Sequence, residues 1–160
     1  MQANKIKFTY PSHVTETFDD ANFHIKYCLS FIKKYLKGDI AEIGAGCGSF
    51  TRNYLNDKIT SLTLTEKDEK NIEILEKKFT GNEIVEVSKK SIFELEKKFD
   101  VILYLHVLEH IEEDQKEIEE ATKKIKNNGF LIIMAPAHQK MFSNLDKNVG
   151  HYRRYEKEFF

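Results

Sequence analysis

Asp39-Ile-Ala-Glu-Ile-Gly-Ala-Gly-Cys-Gly-Ser49 is a short apolar run that breaks into three alternate glycines, Gly44, Gly46 and Gly48, and then enters a helical pattern. Glycines let the backbone turn tightly and approach a ligand closely, and N–H groups at the start of the following helix favour a carboxylate or phosphate. The stretch therefore predicts a strand, a cofactor loop and a helix in succession. Taken alone, the same spacing also fits a glycine turn with no ligand. The pattern is GxGxG; Ser49 stands where the GxGxxG of dinucleotide binders has its third glycine, which argues against a nicotinamide cofactor.

On both sides of this loop, short apolar runs alternate with polar helical stretches. Strands are predicted at 40–43, 59–64, 84–87, 101–105 and 130–134, and helices at 49–55, 68–79 and 112–126. The last helix is expected to end in a left-handed cap at Asn127-Asn-Gly129. Phe23, Tyr27, Phe31, Ile32 and Tyr35 recur at helical spacing, which predicts a leading helix over 19–37 with Asp19 or Asp20 as N-cap and Gly38 as its stop. Pro11 and Pro136 flank the periodic segments. Strands alternating with helices imply parallel βαβ units and an α/β fold. Val101-Ile-Leu-Tyr-Leu105 is apolar at every position, as a strand near the middle of a sheet covered on both faces should be.

The 160 residues suit one domain, read as a helical lead-in (1–37), a cofactor-binding core (38–135) and an acceptor-side segment (136–160). Hydrophobic residues make up 41% and charged residues 32%, which excludes a disordered tail and a membrane protein. The 25 Lys and Arg balance 26 Asp and Glu, so there is no basic field to recruit nucleic acid or anionic lipid. Cys28 and Cys47 lie far apart and suggest neither a disulfide framework nor a cysteine zinc site. With no signal-like start and no apolar span, a cytoplasmic protein is expected.

Glu66 ends the second strand about 20 residues beyond the glycines, where a carboxylate can accept hydrogen bonds from ribose hydroxyls; an exposed turn acid is the plainer reading. Glu42-Ile-Gly-Ala-Gly-Cys-Gly48 resembles the first signature of class I S-adenosylmethionine-dependent methyltransferases. Glu66 matches that family's ribose-binding acid. Phe99-Asp-Val-Ile-Leu-Tyr-Leu-His-Val-Leu-Glu-His-Ile111 resembles its fourth strand and the turn after it, and Asn127-Asn-Gly-Phe-Leu-Ile-Ile133 its glycine-led fifth strand. Agreement of several motifs in order is more specific than any one of them.

The resemblance implies a Rossmann-like, doubly wound parallel sheet of order 3-2-1-4-5, a truncated form of the seven-stranded methyltransferase fold. It implies S-adenosylmethionine as cofactor, with Gly44, Ala45, Gly46 and Gly48 near its methionine end and Glu66 on its ribose. Glu42 and the His106 backbone would position its amino group. Ser91 stands where the family often has an adenine-contacting Asp, which leaves Ser91 and the Ile92 backbone for adenine. In that fold ligands sit at the carboxyl ends of the strands where the order reverses, opposite His106 to His110. The methyl is already activated, so orientation supplies most of the rate and no metal is expected. His106, His110, His138 and His151 are the histidines near that crevice that could take an acceptor proton, although His110 also suits a packing role.

The C-terminal run Ala135-Pro-Ala-His138, Met141-Phe-Ser-Asn-Leu-Asp146 and Gly150-His-Tyr-Arg-Arg-Tyr155 is similar to that of methyltransferases of bacterial polysaccharide and glycosylation enzymes. It implies a small acceptor, such as a sugar or glycolipid precursor. His138, His151, Arg153, Arg154 and Tyr155 are the candidate acceptor residues: the arginines can clamp an anion, and Tyr152 or Tyr155 can stack on a sugar ring. A solvated charge run fits the arginines equally. The segment is expected to be a loop without regular structure. An apolar edge at the fifth strand would favour a homodimer.

Three rival readings remain. His106-Val-Leu-Glu-His110 also spells the HxxEH of a zinc peptidase class, but that site needs both histidines on one helix, whereas His106 follows directly from a strand. A nicotinamide-dependent oxidoreductase would require different glycine spacing. A non-catalytic S-adenosylmethionine-binding module would keep the same loop without turnover.

Overall fold

The computed structural model describes residues 22–160, so Pro11 and the expected N-caps Asp19 and Asp20 lie outside the described residues. Helix α1, Asn22–Ile32, runs into a 3-10 turn at Lys33–Tyr35 and stops before Gly38. Five strands follow: β1 Gly38–Ile43, β2 Ile59–Thr65, β3 Val85–Ser88, β4 Phe99–Leu105 and β5 Ile125–Met134. Helices α2 Thr51–Tyr54, α3 Glu69–Lys78 and α4 Asp114–Lys123 lie between them, and α5 Asn144–Asn148 follows β5.

All pairings are parallel, and the order is β3-β2-β1-β4-β5, the doubly wound arrangement expected. Alternation along the strands builds two cores. Ile40, Leu62, Leu64, Val101 and Leu103 face α1 and α3 through Ile25, Leu29 and Leu75. Ala41, Ile43, Ile102 and Tyr104 face the other way onto Leu108, Ala121 and Tyr155. The uniformly apolar 101–105 run thus serves both cores in turn, which is why no polar position interrupts it. Asp68 caps α3 by accepting the Asn71 N–H at 3.1 Å, a contact worth about 1 kcal/mol.

At the amino ends of β1 and β4, Lys126 reaches both Asp39 and Asp100, and Asp100 also accepts the Asp39 N–H at 2.7 Å. The Lys126 ammonium, helped by the Thr60 and Ser61 hydroxyls, holds the Asp39 carboxyl down at about 2. This end of the sheet is closed by charge pairing.

Two expectations change. The helix expected over 112–126 stops at Lys123, and Ile125 already pairs with Phe99 in β5. A register shift follows before Phe130 pairs with Val101, and the chain turns there at Asn128, at φ +64°. Gly129 is not in the left-handed region; it is required by space, since a Cβ would lie 2.6 Å from Ile125 Cγ2 and 2.8 Å from the Asp100 carbonyl oxygen. The segment after β5 is also not irregular throughout. It carries a 3-10 turn at Gln139–Met141 and α5, and it returns to the sheet through a bridge between Ala137 and Tyr155.

Candidate functional site

A cavity of about 360 Å³ opens at the carboxyl ends of β1 and β4, where the strand order reverses. Glu42, Gly44, Ala45, Gly46 and Glu66 line one side; His106, Glu109, His110 and His151 line the other.

The glycine loop is held by the end of β2. Gly44 donates to Thr65 Oγ1 at 3.3 Å, Ala45 to the Thr65 carbonyl at 2.9 Å and Gly46 to Glu66 Oε2 at 2.8 Å, while Gly48 donates back to the Ala45 carbonyl at 2.9 Å. These four N–H groups are consumed within the protein. Gly44 and Gly46 are needed for different reasons. Both lie at positive φ, but a Cβ on Gly44 would sit 2.9 Å from both Val107 methyl carbons, whereas one on Gly46 would meet nothing within 4 Å among the described residues. Open space beside Gly46 is what close backbone approach by a ligand requires.

Glu66 Oε1 accepts the Lys67 and Asp68 N–H groups at 2.7 and 3.0 Å. With Gly46 that makes three bonds on a carboxylate that can accept about four, and its position at the cavity wall leaves room for a ligand hydroxyl. Glu42 is 2% exposed and accepts from the Thr51 and Tyr54 hydroxyls, each at 2.6 Å. Burial pushes its carboxyl up to about 7, although both hydroxyl bonds pull it down. The same burial, together with the adjacent Glu42 charge, raises the Tyr54 hydroxyl well above its ordinary value.

His106 sits at φ +59° directly after β4, and its N–H is held by the Met134 carbonyl at 2.8 Å. Its ring has Nδ1 3.6 Å from Glu109 Oε1, and among the described residues its buried Nε2 has no partner. The following turn, Leu108–His110, is a single 3-10 turn. His106 and His110 therefore do not share an α-helix, as the peptidase signature would need. His110 Nδ1 lies 3.2 Å from the Gly150 carbonyl, and its ring meets His151 edge to face at 4.7 Å. Burial holds the His110 imidazole below its ordinary pKa.

The other expected site residues lie elsewhere. Ser91 caps a 3-10 turn in a reciprocal pair with Glu94, and Ile92 is fully buried; neither reaches the cavity wall. Gly48 packs against Leu75 and Phe79. His138 is 71% exposed beside Glu156. Arg153 donates to Asp114 at 2.7 Å and to the Glu112 carbonyl; Arg154 holds Asp146 through two bonds at 2.8 and 3.0 Å. Both arginines are thus engaged by the protein's own carboxylates. Tyr155 is 4% exposed, and its one hydroxyl proton is shared between the Leu108 carbonyl at 3.0 Å and Asp114 Oδ2 at 2.9 Å, so its ring is not open for stacking on a sugar; Tyr152 is half exposed. Burial and Asp114 raise the Tyr155 hydroxyl pKa.

Sequence reasoning missed Asp68, Asn71 and Glu109 on the cavity wall. Among the described residues, Asn71 (5% exposed) has no partner at Oδ1 and Glu109 (1% exposed) none at Oε2. Glu109 was visible only as the acid of the HxxEH pattern, set aside with the peptidase reading, and Asn71 only as part of a polar helix face.

No curated protein sequence matches the chain. Solved structures match its fold. The YcgJ protein of Bacillus subtilis superposes with a TM-score of 0.66 at 17% identity, over 86% of this chain and 64% of that one. The N-methyltransferase NodS of Bradyrhizobium japonicum, in complex with S-adenosyl-L-homocysteine, gives 0.65 at 16% identity, over 84% and 68%. An S-adenosylmethionine-dependent methyltransferase of Clostridium acetobutylicum gives 0.55 at 20%, over 81% and 52%. The chain thus spans about two-thirds or less of the length of several of these proteins. Residues 41–131, more than half of the chain, match the sequence model of the methyltransferase domain. With the loop, the acid after β2 and the reversal between β1 and β4 in place, the chain belongs to the methyltransferase domain family.

Proposed function

We propose that this chain binds S-adenosylmethionine in the cavity between the glycine loop and His106, and transfers its methyl group to a small acceptor, a sugar or glycolipid precursor in the first instance. The observation that carries this reading is the open space at Gly46 beside a carboxylate, Glu66, that already holds the loop. The likeness to a NodS structure holding S-adenosyl-L-homocysteine supports it.

When bound, the cofactor supplies a methyl activated by its sulfonium. The chain's own contribution is orientation. Glu66 takes ribose hydroxyls, Gly44 to Gly46 admit the methionine end, and Glu42 with the His106 carbonyl faces the amino group. Ser91 and Ile92, expected at adenine, lie off the described cavity wall, so Asp68 and Asn71 replace them in this reading. The acceptor enters against Glu109, His110 and His151. Holding donor and acceptor in line accounts for most of the rate, and an acceptor hydroxyl would lose its proton on that wall. Arg153 and Arg154 shape this wall from behind through Asp114 and Asp146.

Calorimetric titration with S-adenosylhomocysteine tests the reading: one site per chain is expected, and no heat at millimolar ligand would overturn it. Transfer of labelled methyl to nucleotide sugars, but not to free amines, tests the acceptor class. Among the described residues no helix is long and apolar enough to cross a membrane. A second copy pairing along the outer side of β5, the sheet edge that exposes Phe130, is part of the same reading and is tested by light scattering.

A further inference from the structure

The acceptor wall carries a group of donors that methyl transfer from a sulfonium does not require. Glu109 and His110 come from the turn after β4, and His151 from the segment after α5; one ligand atom from each lies within 4.8 Å of the others. Glu109 is 1% exposed, and among the described residues its Oε2 has no hydrogen-bond partner. A buried carboxylate oxygen left unpaired loses its hydration without replacement, so such an atom calls for a ligand.

The two histidines are held as metal ligands usually are. His151 Nδ1 lies 3.0 Å from Asp146 Oδ1, on a carboxylate that Arg154 also grips, and His110 Nδ1 lies 3.2 Å from the Gly150 carbonyl. Carbonyl and carboxylate oxygens only accept, so both Nδ1 atoms donate and each ring carries its lone pair on Nε2. Orientation of a ligating imidazole by a carboxylate or carbonyl on its other nitrogen is the usual outer layer of a metal site.

We propose that Glu109, His110 and His151 bind one divalent transition-metal ion at the acceptor wall. Two imidazoles and a carboxylate favour manganese, iron, cobalt or zinc over magnesium and calcium. Three protein ligands leave coordination positions for an oxygen donor from the cavity. Donors at about 2.1 Å from one ion lie about 3.4 Å apart, so side-chain rotations of about an ångström close the set. Such a site departs from the expectation, drawn from the sequence, that no metal is needed. A second group, His24, Cys28 and His106, is equally compact, but Cys28 Sγ already lies 3.5 Å from His24 Nε2, and neither residue lines the cavity. The site stands whether or not the chain transfers methyl groups.

The test is calorimetry on chelator-stripped protein with manganese chloride and, separately, zinc chloride, with the loss of the free manganese paramagnetic signal as a second readout. One ion per chain is expected, weakened roughly tenfold or more in His151→Gln and in Glu109→Gln, while thermal melts of the metal-free variants match the parent. Substoichiometric binding, or equal affinity in parent and both variants, overturns the proposal. So does binding that is lost in Cys28→Ser instead, which would put the ion at the second group. S-adenosylhomocysteine is titrated in parallel: a chain that binds it but no metal defeats only this inference, and the reverse result defeats only the cofactor reading.

Discussion

Glu66 accepts the Gly46 N–H at 2.8 Å, so the acid following β2 and the middle glycine of the loop act as one unit. Removing the carboxylate releases the loop and also deletes a ligand contact. Glu66→Ala should weaken S-adenosylhomocysteine binding roughly 10- to 100-fold, the equivalent of one or two charge-assisted hydrogen bonds. Calorimetry checks this. An unchanged dissociation constant would show that Glu66 serves the loop alone.

The two glycines of the loop should separate folding from binding. Gly44→Ala drives a Cβ to 2.9 Å from both Val107 methyl carbons at φ +66°, so about 2–4 kcal/mol of stability should be lost. Gly46→Ala meets no neighbour and carries only the left-handed strain, about 1–2 kcal/mol. Urea melts should therefore rank Gly44→Ala as the less stable variant, while Gly46→Ala keeps its fold and loses cofactor affinity.

Glu42 makes stability depend on pH. Its carboxyl titrates near 7 in the folded chain and near its ordinary 4.5 when unfolded. Below 4.5 both states hold the proton and its contribution is fully present. Between 4.5 and 7 only the folded state holds it, so stability falls as pH rises, by about 3 kcal/mol in all. Above 7 the loss levels off. The difference between parent and Glu42→Gln melts, measured without cofactor, should trace this window; a flat difference would refute it.

Arg153 and Tyr155 should affect stability before they affect acceptor use. Asp114 is 2% exposed and holds both of them. Arg153→Ala leaves that carboxylate with the Tyr155 hydroxyl and the Gln115 N–H and should cost about 1–3 kcal/mol, and Tyr155→Phe about 1–2 kcal/mol. Denaturant midpoints check both. A stable Arg153→Ala with a raised acceptor Michaelis constant would restore the anion clamp.

The sheet was legible because its signal is local. The unbroken apolar run at 101–105, the glycines at 44–48 and the turn chemistry between strands are all readable within a few residues. Helix α4 was overextended because Ile125 continues a plausible apolar spacing, and only pairing with Phe99 pulls it into β5. The C-terminal segment resisted for the opposite reason. Tyr155 bonds Leu108 and Asp114 across 47 and 41 residues, and Arg154 is satisfied by Asp146, so residues that look like a solvated, substrate-facing run are tied inward. Nothing local marks Glu109 as buried.

The lysine that bridges Asp39 and Asp100 sits at the opposite end of the strands from Glu66 and His106. Substitutions can therefore accumulate at one rim without loosening the other. A library randomising only the cavity rim should yield mostly folded variants with altered ligand preference, while the same number of changes around the lysine should yield few that express at all.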